Sequence, residues 1–469
     1  MRVLVTSARS PHALAAIREF GRRGWEVSAA DCTRLAPGLH SRWVGRRLVW
    51  PSVTERPGEW IDACLRELGR GDTDLLFPTF EETFLVSRFR DALSRHAAVL
   101  VDDYDKLLRV HHKVSLNAVA RDAGVDVPET WQPADEADLA RIRDRLPYPV
   151  VLKLPDANNS RGLAFCDDAD ALARAWRDRV AAFGPATDRS GDRAAAPGPA
   201  ADRAAPSGPA GDDLRLPVIQ RRVDGDVLYG LFLADRGRTV GALLYEPLLM
   251  FPDGGGTAFH RRSVRNAAVE EASARLIRAL EWHGFLGLDF IVERGTGRDR
   301  GGGSEPATGR PLLIDANPRT TPALLTGQAA GVDFVGMAID LARGGRPEPQ
   351  VEPVPGVRTK LWFVHWLWFS FQILPGRGWW RRVRAAFASL RIRGFVPDVH
   401  RRDDPRPSLF MALFVPWFLF AIDALKGPRG GPPRGGLPRG GFMYGCNYDR
   451  ATADRAGPGG SGGAGRPGP

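Results

Sequence analysis

Cysteine is scarce in this chain. The four residues, Cys32, Cys64, Cys166 and Cys446, stand far apart, which excludes a disulfide framework and a paired-cysteine zinc site. Long apolar runs are missing too: "LWFVHWLWFSFQIL" (361–374) and "LFMALFVPWFLFAI" (409–422) are 14 residues each, short of the roughly 20 that a spanning helix needs. The opening "RVLVTSARS" reads as a strand and turn rather than the basic, apolar and small-residue succession of a signal peptide, so a cytoplasmic location is expected. The first strand–helix turn, "TSARSPHA", lacks the G-x-G-x-x-G that brings a backbone up to a pyrophosphate. That counts against a dinucleotide, although Asp31 stands near the end of the second strand, where a ribose carboxylate is often found. No Ser/His/Asp or Cys/His arrangement is recognisable, so nothing indicates a nucleophilic side chain.

What is present is a long, mixed sequence. Its 469 residues suffice for two to four domains, and 43% hydrophobic residues is the proportion of a soluble protein. The formal net charge of +10 invites nucleic acid. The excess gathers towards the C-terminus, however, where the residues from Lys426 onward hold seven basic and two acidic side chains among Gly and Pro. Such a tail binds many anions weakly, and without an aromatic-basic motif no specific nucleic acid is expected.

Residues 1–104 alternate strand-like and helix-like runs ("RVLVT", "PHALAAIREFGRRG", "WEVSAAD", "LLFPTF"), the pattern of a Rossmann-like parallel sheet. Residues 105–345 read as a second α/β domain, interrupted at about 183–213 and 294–310 by Gly-, Pro- and Ala-rich stretches too poor in apolar residues to order themselves. Residues 346–426 are rich in Trp and Arg. There Trp380, Val383, Phe387 and Leu390 recur at helical spacing with arginines largely elsewhere, the layout of an amphipathic helix at a membrane surface or of an aromatic core with a basic face. Peripheral contact with the inner face of the membrane is the expectation set against that core. Residues 427–469 form a Gly/Pro/Arg tail with the composition of a disordered segment.

The chemistry gathers in a few positions. In "LLIDANPRTTP" (312–322) Asp315 and Asn317 are two apart, so on a strand they face the same way; a polar turn at a strand end is the plainer explanation. Asp289 stands in the apolar "GFLGLDFIVE", where an unpaired charge is costly. If the two strands pair, Asp289, Asp315 and Asn317 become hard oxygen ligands for Mg²⁺ (or Mn²⁺), with Arg319 beside them facing phosphate. Lys153, in "YPVVLKLP", is a lysine in an apolar strand, and Asn159, Ser160 and Gly162 follow in a small-residue loop whose N–H groups suit phosphate. Lys113 opens a helix and could equally be a surface lysine. Glu81 and Glu82, at a strand end in "FPTFEET", either orient an amine substrate or simply start a helix. His260, Arg261, Arg262 and Arg265, in the basic "AFHRRSVRN", form a cluster that could hold a substrate carboxylate, with Arg262 the leading candidate, and a solvated charged turn is the equal alternative.

Taken in order, the "DK…K" helix followed by "AGVDVPET", then "YPVVLKL" with its loop, "VIQRRVDGDV", "GLDFIV" and "LLIDANPR" resemble the ATP-grasp superfamily over most of residues 1–345. The resemblance implies an N-terminal Rossmann-like domain, a two-lobed ATP-grasp α+β domain, and a C-terminal helical amphipathic segment outside the match. It implies ATP phosphates held by Lys113 and Lys153 under the Asn158–Gly162 loop, and Gln220, Arg221, Val223 and Asp226 as a hinge around adenine and ribose. Asp289, Asp315 and Asn317 become the metal ligands, and Arg319 and Lys153 the catalytic cations. The chain departs from the family where a ribose glutamate is usual, which falls on Val227, and at Asp315, where glutamate is commoner. The implied activity is an ATP- and Mg²⁺-dependent ligase joining a small-molecule carboxylate to an amine. The alternative is a membrane-surface nucleotide-binding protein with this fold and no ligase activity.

Overall fold

The computed structural model describes residues 1–155, 163–183, 216–251, 256–294, 309–373, 379–391 and 393–414. The expected insertions, apart from their end residues, and the tail lie outside the described residues.

Apolar strands flanked by helices build the first layer. Strands β1 (Arg2–Val5), β2 (Glu26–Asp31), β3 (Val44–Val49), β4 (Leu75–Phe77) and β5 (Ala98–Val99) form a parallel sheet in the order β3-β2-β1-β4-β5. Val3, Leu4 and Val5 are all buried, as a parallel sheet covered on both faces requires. The helix Pro11–Arg22 starts sharply because Ser10 Oγ accepts the N–H of Ala13 at 3.1 Å and Pro11 takes the first turn. Gly38 lets the following chain pass close by, since a Cβ there would sit 2.4 Å from the Ala8 carbonyl oxygen.

The second part has two lobes. The smaller is an antiparallel sheet ordered β6-β9-β7-β8, from β6 (Thr130–Trp131), β7 (Val150–Lys153), β8 (Ala164–Cys166) and β9 (Val218–Arg221). It has its own core of Leu139, Val150, Leu152, Leu172, Trp176 and Ile219. The larger comprises β10 (Gly225–Asp235), β11 (Arg238–Phe251), β12 (Thr257–Val264), β13 (Gly284–Glu293), β14 (Pro311–Asn317), β15 (Arg358–Lys360) and β16 (Phe395–Pro397), ordered β14-β13-β10-β11-β12-β15-β16. The N-terminal sheet packs directly on this lobe, with Phe77 edge-on to Phe285 at 5.7 Å. The fold class follows the expectation.

The C-terminal segment is partly core. Strands β15 and β16 complete the large sheet, and the helix Trp362–Ile373 turns Val364 and Trp368 inward, Trp368 lying 5.9 Å from Phe259. Further on, Arg18 Nε meets Asp404 Oδ2 at 2.9 Å with both side chains buried, Ser41 Oγ donates to the same carboxylate, and Arg18 Nη2 donates to the Val399 carbonyl. Trp366, Trp380 and Phe387 remain exposed, on and beside the helix Trp379–Leu390. The aromatic run therefore divides between burial and exposure. Among the described residues no helix is long and apolar enough to cross a membrane.

Candidate functional site

A cavity of about 780 Å³ opens between the two lobes. Strand pairing sets its floor. Asp289 on β13 lies directly opposite Asp315 on β14, and Asn317 lies opposite Gly287, so the three expected metal ligands project from adjoining positions of one hairpin. Burial, then the facing Asp315, pushes the Asp289 carboxyl well above the usual range. Arg319, Lys113 and Lys153 oppose that shift only in part, and a divalent cation between the two acids would favour both carboxylates. The donor set is all oxygen, two acids and an amide, which suits a hard divalent ion completed by phosphate oxygens and water. Among the described residues no group of three or more His, Cys, Asp or Glu could hold a metal by itself.

The cations come from other elements. Lys113 opens the helix Lys113–Asp122 and is buried, its N–H fixed on the Pro155 carbonyl at 2.9 Å and its Nζ 3.3 Å from Asp315 Oδ1. Lys153, at the end of β7, has its pKa lowered to about 8 by burial, then by Lys113, with Asp315 and Asp289 opposing. Arg319 donates from Nε to Glu81 Oε1 at 2.8 Å and from Nη2 to Asn317 Oδ1 at 3.2 Å, and it lies over the Phe80 ring at 4.5 Å. Burial raises the Glu81 carboxyl and Arg319 pulls it back. Glu81 thus reaches the site through Arg319, as the group that holds the guanidinium.

At one end the walls are apolar. Val151, Leu154, Phe165, Ile291 and Ile314 line it together with Gln220, Arg221 and Val223, an apolar wall of the kind that takes a planar base. Gly225 permits the close crossing there, because a Cβ would meet the Val292 carbonyl oxygen at 2.4 Å. Gln220 Nε2 donates to Thr130 Oγ1 at 3.2 Å and Arg221 pairs with Glu293 at 2.8 Å. At the other end stand Phe80, Tyr229, Tyr245, Met250 and Arg261. Arg261 is buried and ion-paired with buried Asp398, just past β16. Its Nε has no hydrogen-bond partner.

Several candidates stand elsewhere. Glu82 is not on the cavity wall; it accepts from Thr6 Oγ1 (2.5 Å), Ser7 Oγ (2.6 Å) and the N–H of Thr79 (3.0 Å), tying the edge of the parallel sheet together. Asp226 is paired with Arg294, and Arg262 with Glu246, both off the wall. Asp31 is engaged by Arg9, at 2.8 Å from Nη2. Asn159, Ser160 and Gly162 lie outside the described residues. Of the expected basic cluster, Arg261 lines the cavity and Arg262 does not, while Tyr229 and Tyr245 carry no signal in the sequence that marks them for the site.

Known structures share this architecture. The chain is similar to a biotin carboxylase–β-γ-ATP complex from Campylobacter jejuni (TM-score 0.57, 14% identity, 76% of this chain and 74% of that one covered). It is also similar to an L-amino acid ligase from Bacillus licheniformis (0.53, 14%, 75% and 77%) and to an ADP complex of N5-carboxyaminoimidazole synthetase from Staphylococcus aureus (0.52, 11%, 76% and 81%). At such identities the likeness is one of fold. No protein-family model matches the sequence, and no curated protein sequence matches it.

Proposed function

The chain has the ATP-grasp fold, and from that premise we propose that it is an ATP- and magnesium-dependent ligase that activates a substrate carboxylate as an acyl-phosphate and joins it to an amine. One observation carries this reading: Lys113, Lys153, Asp289, Asp315, Asn317 and Arg319, drawn from both lobes, all line a single cleft. Solved neighbours of the same fold hold ATP-like ligands or ADP, and the apolar wall beside Gln220 and Val223 is where this chain would take adenine.

Magnesium, held by Asp289, Asp315 and Asn317, would supply charge neutralisation between phosphate oxygens. The chain's own residues do the rest. Lys113 and Lys153 offset phosphate charge from fixed positions, and a lysine with a depressed pKa gains most when an anion arrives. Arg319, locked by Glu81 and Asn317, presents its guanidinium where negative charge grows on the transferred phosphoryl. The substrate carboxylate oxygen attacks the γ-phosphorus as the bond to ADP breaks. The amine then attacks the acyl carbon, phosphate leaves and the amine loses a proton. No protein nucleophile is needed. Shielding by the apolar walls keeps water from the intermediate.

Arg261, with Phe80, Tyr229, Tyr245 and Met250 around it, supports a carboxylate substrate with an apolar body. The test is ADP release with a panel of carboxylates and amines, beside calorimetry of ATP binding. Mg²⁺-dependent ATP binding that Lys153→Met and Asp315→Asn weaken at least tenfold, with carboxylate-dependent ADP release, supports the ligase. ATP binding without ADP release for any pair would favour a nucleotide-binding protein lacking ligase activity.

A further inference from the structure

A second cluster of buried titratable groups lies away from the cleft. Strand pairing sets His260 on β12 opposite Lys360 on β15, so the two side chains share one face of the sheet. Both are fully buried. Neither ring nitrogen of His260 has a hydrogen-bond partner, and nor does Lys360 Nζ. Neither residue lines the catalytic cavity.

The surroundings make this cluster electrostatically unbalanced. Lys360 precedes the helix Trp362–Ile373 by two residues, and its Nζ lies 4.6 Å from the Trp362 ring and 5.0 Å from the Phe395 ring. A helix start carries partial positive charge and unsatisfied N–H groups, so a lysine there is misplaced unless something negative joins it. From the helix comes His365, its Nε2 on Ser389 Oγ at 2.8 Å and its Nδ1 without a partner. The charged or chargeable groups that act on His260, namely Lys360, His365, Arg358 and Arg261, are all basic. Burial alone lowers Lys360 to about 8. Two aromatic faces recover only part of what removing an ammonium from water costs.

We propose that the space between Lys360, His260 and the start of the helix Trp362–Ile373 is a binding site for a small oxyanion of the phosphate or carboxylate class. The ammonium supplies charge, the imidazole N–H and the helix N–H groups supply donors, and Trp362 and Phe395 wall the site from water. Such an anion would pair with Lys360 Nζ and the His260 ring, which the folded chain leaves without hydrogen-bond partners. The site is independent of the ligase reading, since it shares no residue with the cleft.

Inorganic phosphate and phosphate-bearing lipid present the same chemistry, and two arms separate them. In the first, thermal unfolding of the full chain is followed against inorganic phosphate at constant ionic strength, in wild type, Lys360→Met, His260→Phe and Lys153→Met. The expected result is a saturable rise in Tm in wild type and Lys153→Met, weakened at least tenfold in apparent affinity by Lys360→Met and by His260→Phe. In the second arm, phosphatidylcholine vesicles with and without phosphatidic acid replace phosphate. Co-flotation that depends on phosphatidic acid and on Lys360 assigns the anion to a headgroup. Equal responses of wild type and Lys360→Met in both arms overturn the proposal. So does a Lys360→Met protein that melts lower than wild type in anion-free buffer, because the ammonium would then already be satisfied within the fold.

Discussion

Replacing Lys153 by Met should change how many protons ATP binding consumes. In the free protein Lys153 titrates near 8, because burial and Lys113 disfavour its charge. A bound phosphate favours the charged form and returns the pKa towards the ordinary value of about 10.5. The sign follows: binding takes up a proton wherever the pH lies between the two values. At about pH 8.5 roughly a quarter of the free lysine is protonated and nearly all of the bound form, so uptake is about three quarters of a proton, falling to about a tenth near pH 7. Calorimetry in two buffers of different ionisation enthalpy reads this number directly. Metal-free ATP in EDTA comes first, since Asp289, held above the usual carboxylate range, would release a proton to a metal and mask the uptake. The Lys153→Met protein should bind more weakly with near-zero uptake. Uptake near zero in wild type at pH 8.5, or unchanged in Lys153→Met, would refute the assignment of this lysine to the phosphates.

Other expectations concern stability and the wall of the site. Asp398→Ala leaves the Arg261 guanidinium buried and unpaired, which should cost about 3–5 kcal/mol in denaturant unfolding, with much of it recovered in Arg261→Met/Asp398→Leu. Arg319→Lys loses the fork shared by Glu81 and Asn317 and should lower kcat for ADP release by about 10²–10³, with little effect on ATP affinity. His12, buried on the Thr79 carbonyl, is lowered to about 3, mainly by burial. Its folded pKa lies below the unfolded one, so its stability is present above about pH 6.5 and lost as the pH falls. At pH 5 the loss is at most roughly 2 kcal/mol, and His12→Gln should flatten that part of the profile in urea titrations at pH 7 and pH 5.

Much of the cleft could be read in advance because its residues break local rules: Asp289 and Lys153 are charges inside apolar strands, and Asp315 and Asn317 share a strand face. Other positions depend on register. Irregular pairing between β11 and β12, at Pro247/Leu249, helps decide which of two adjacent arginines faces inward, and Arg261 rather than Arg262 lines the cavity. Glu82 sits in a ligand-like position, yet its partners Thr6 and Ser7 lie more than seventy residues upstream. The same distance hides the fate of the aromatic run. A 14-residue apolar stretch satisfies a bilayer or a core equally well, and Trp368 is committed inward by Phe259, over a hundred residues earlier.

The pairing of Arg18 with Asp404 and of Arg261 with Asp398 sets an order on the life of the molecule. A chain emerging from the ribosome exposes the whole parallel sheet and both lobes before residues 398 and 404 appear. Until then two arginines destined for burial have no counter-charge, and one of them borders the cleft. The wall of the cleft therefore waits for residue 398, so a growing chain with both lobes in place still lacks the acid that fixes Arg261.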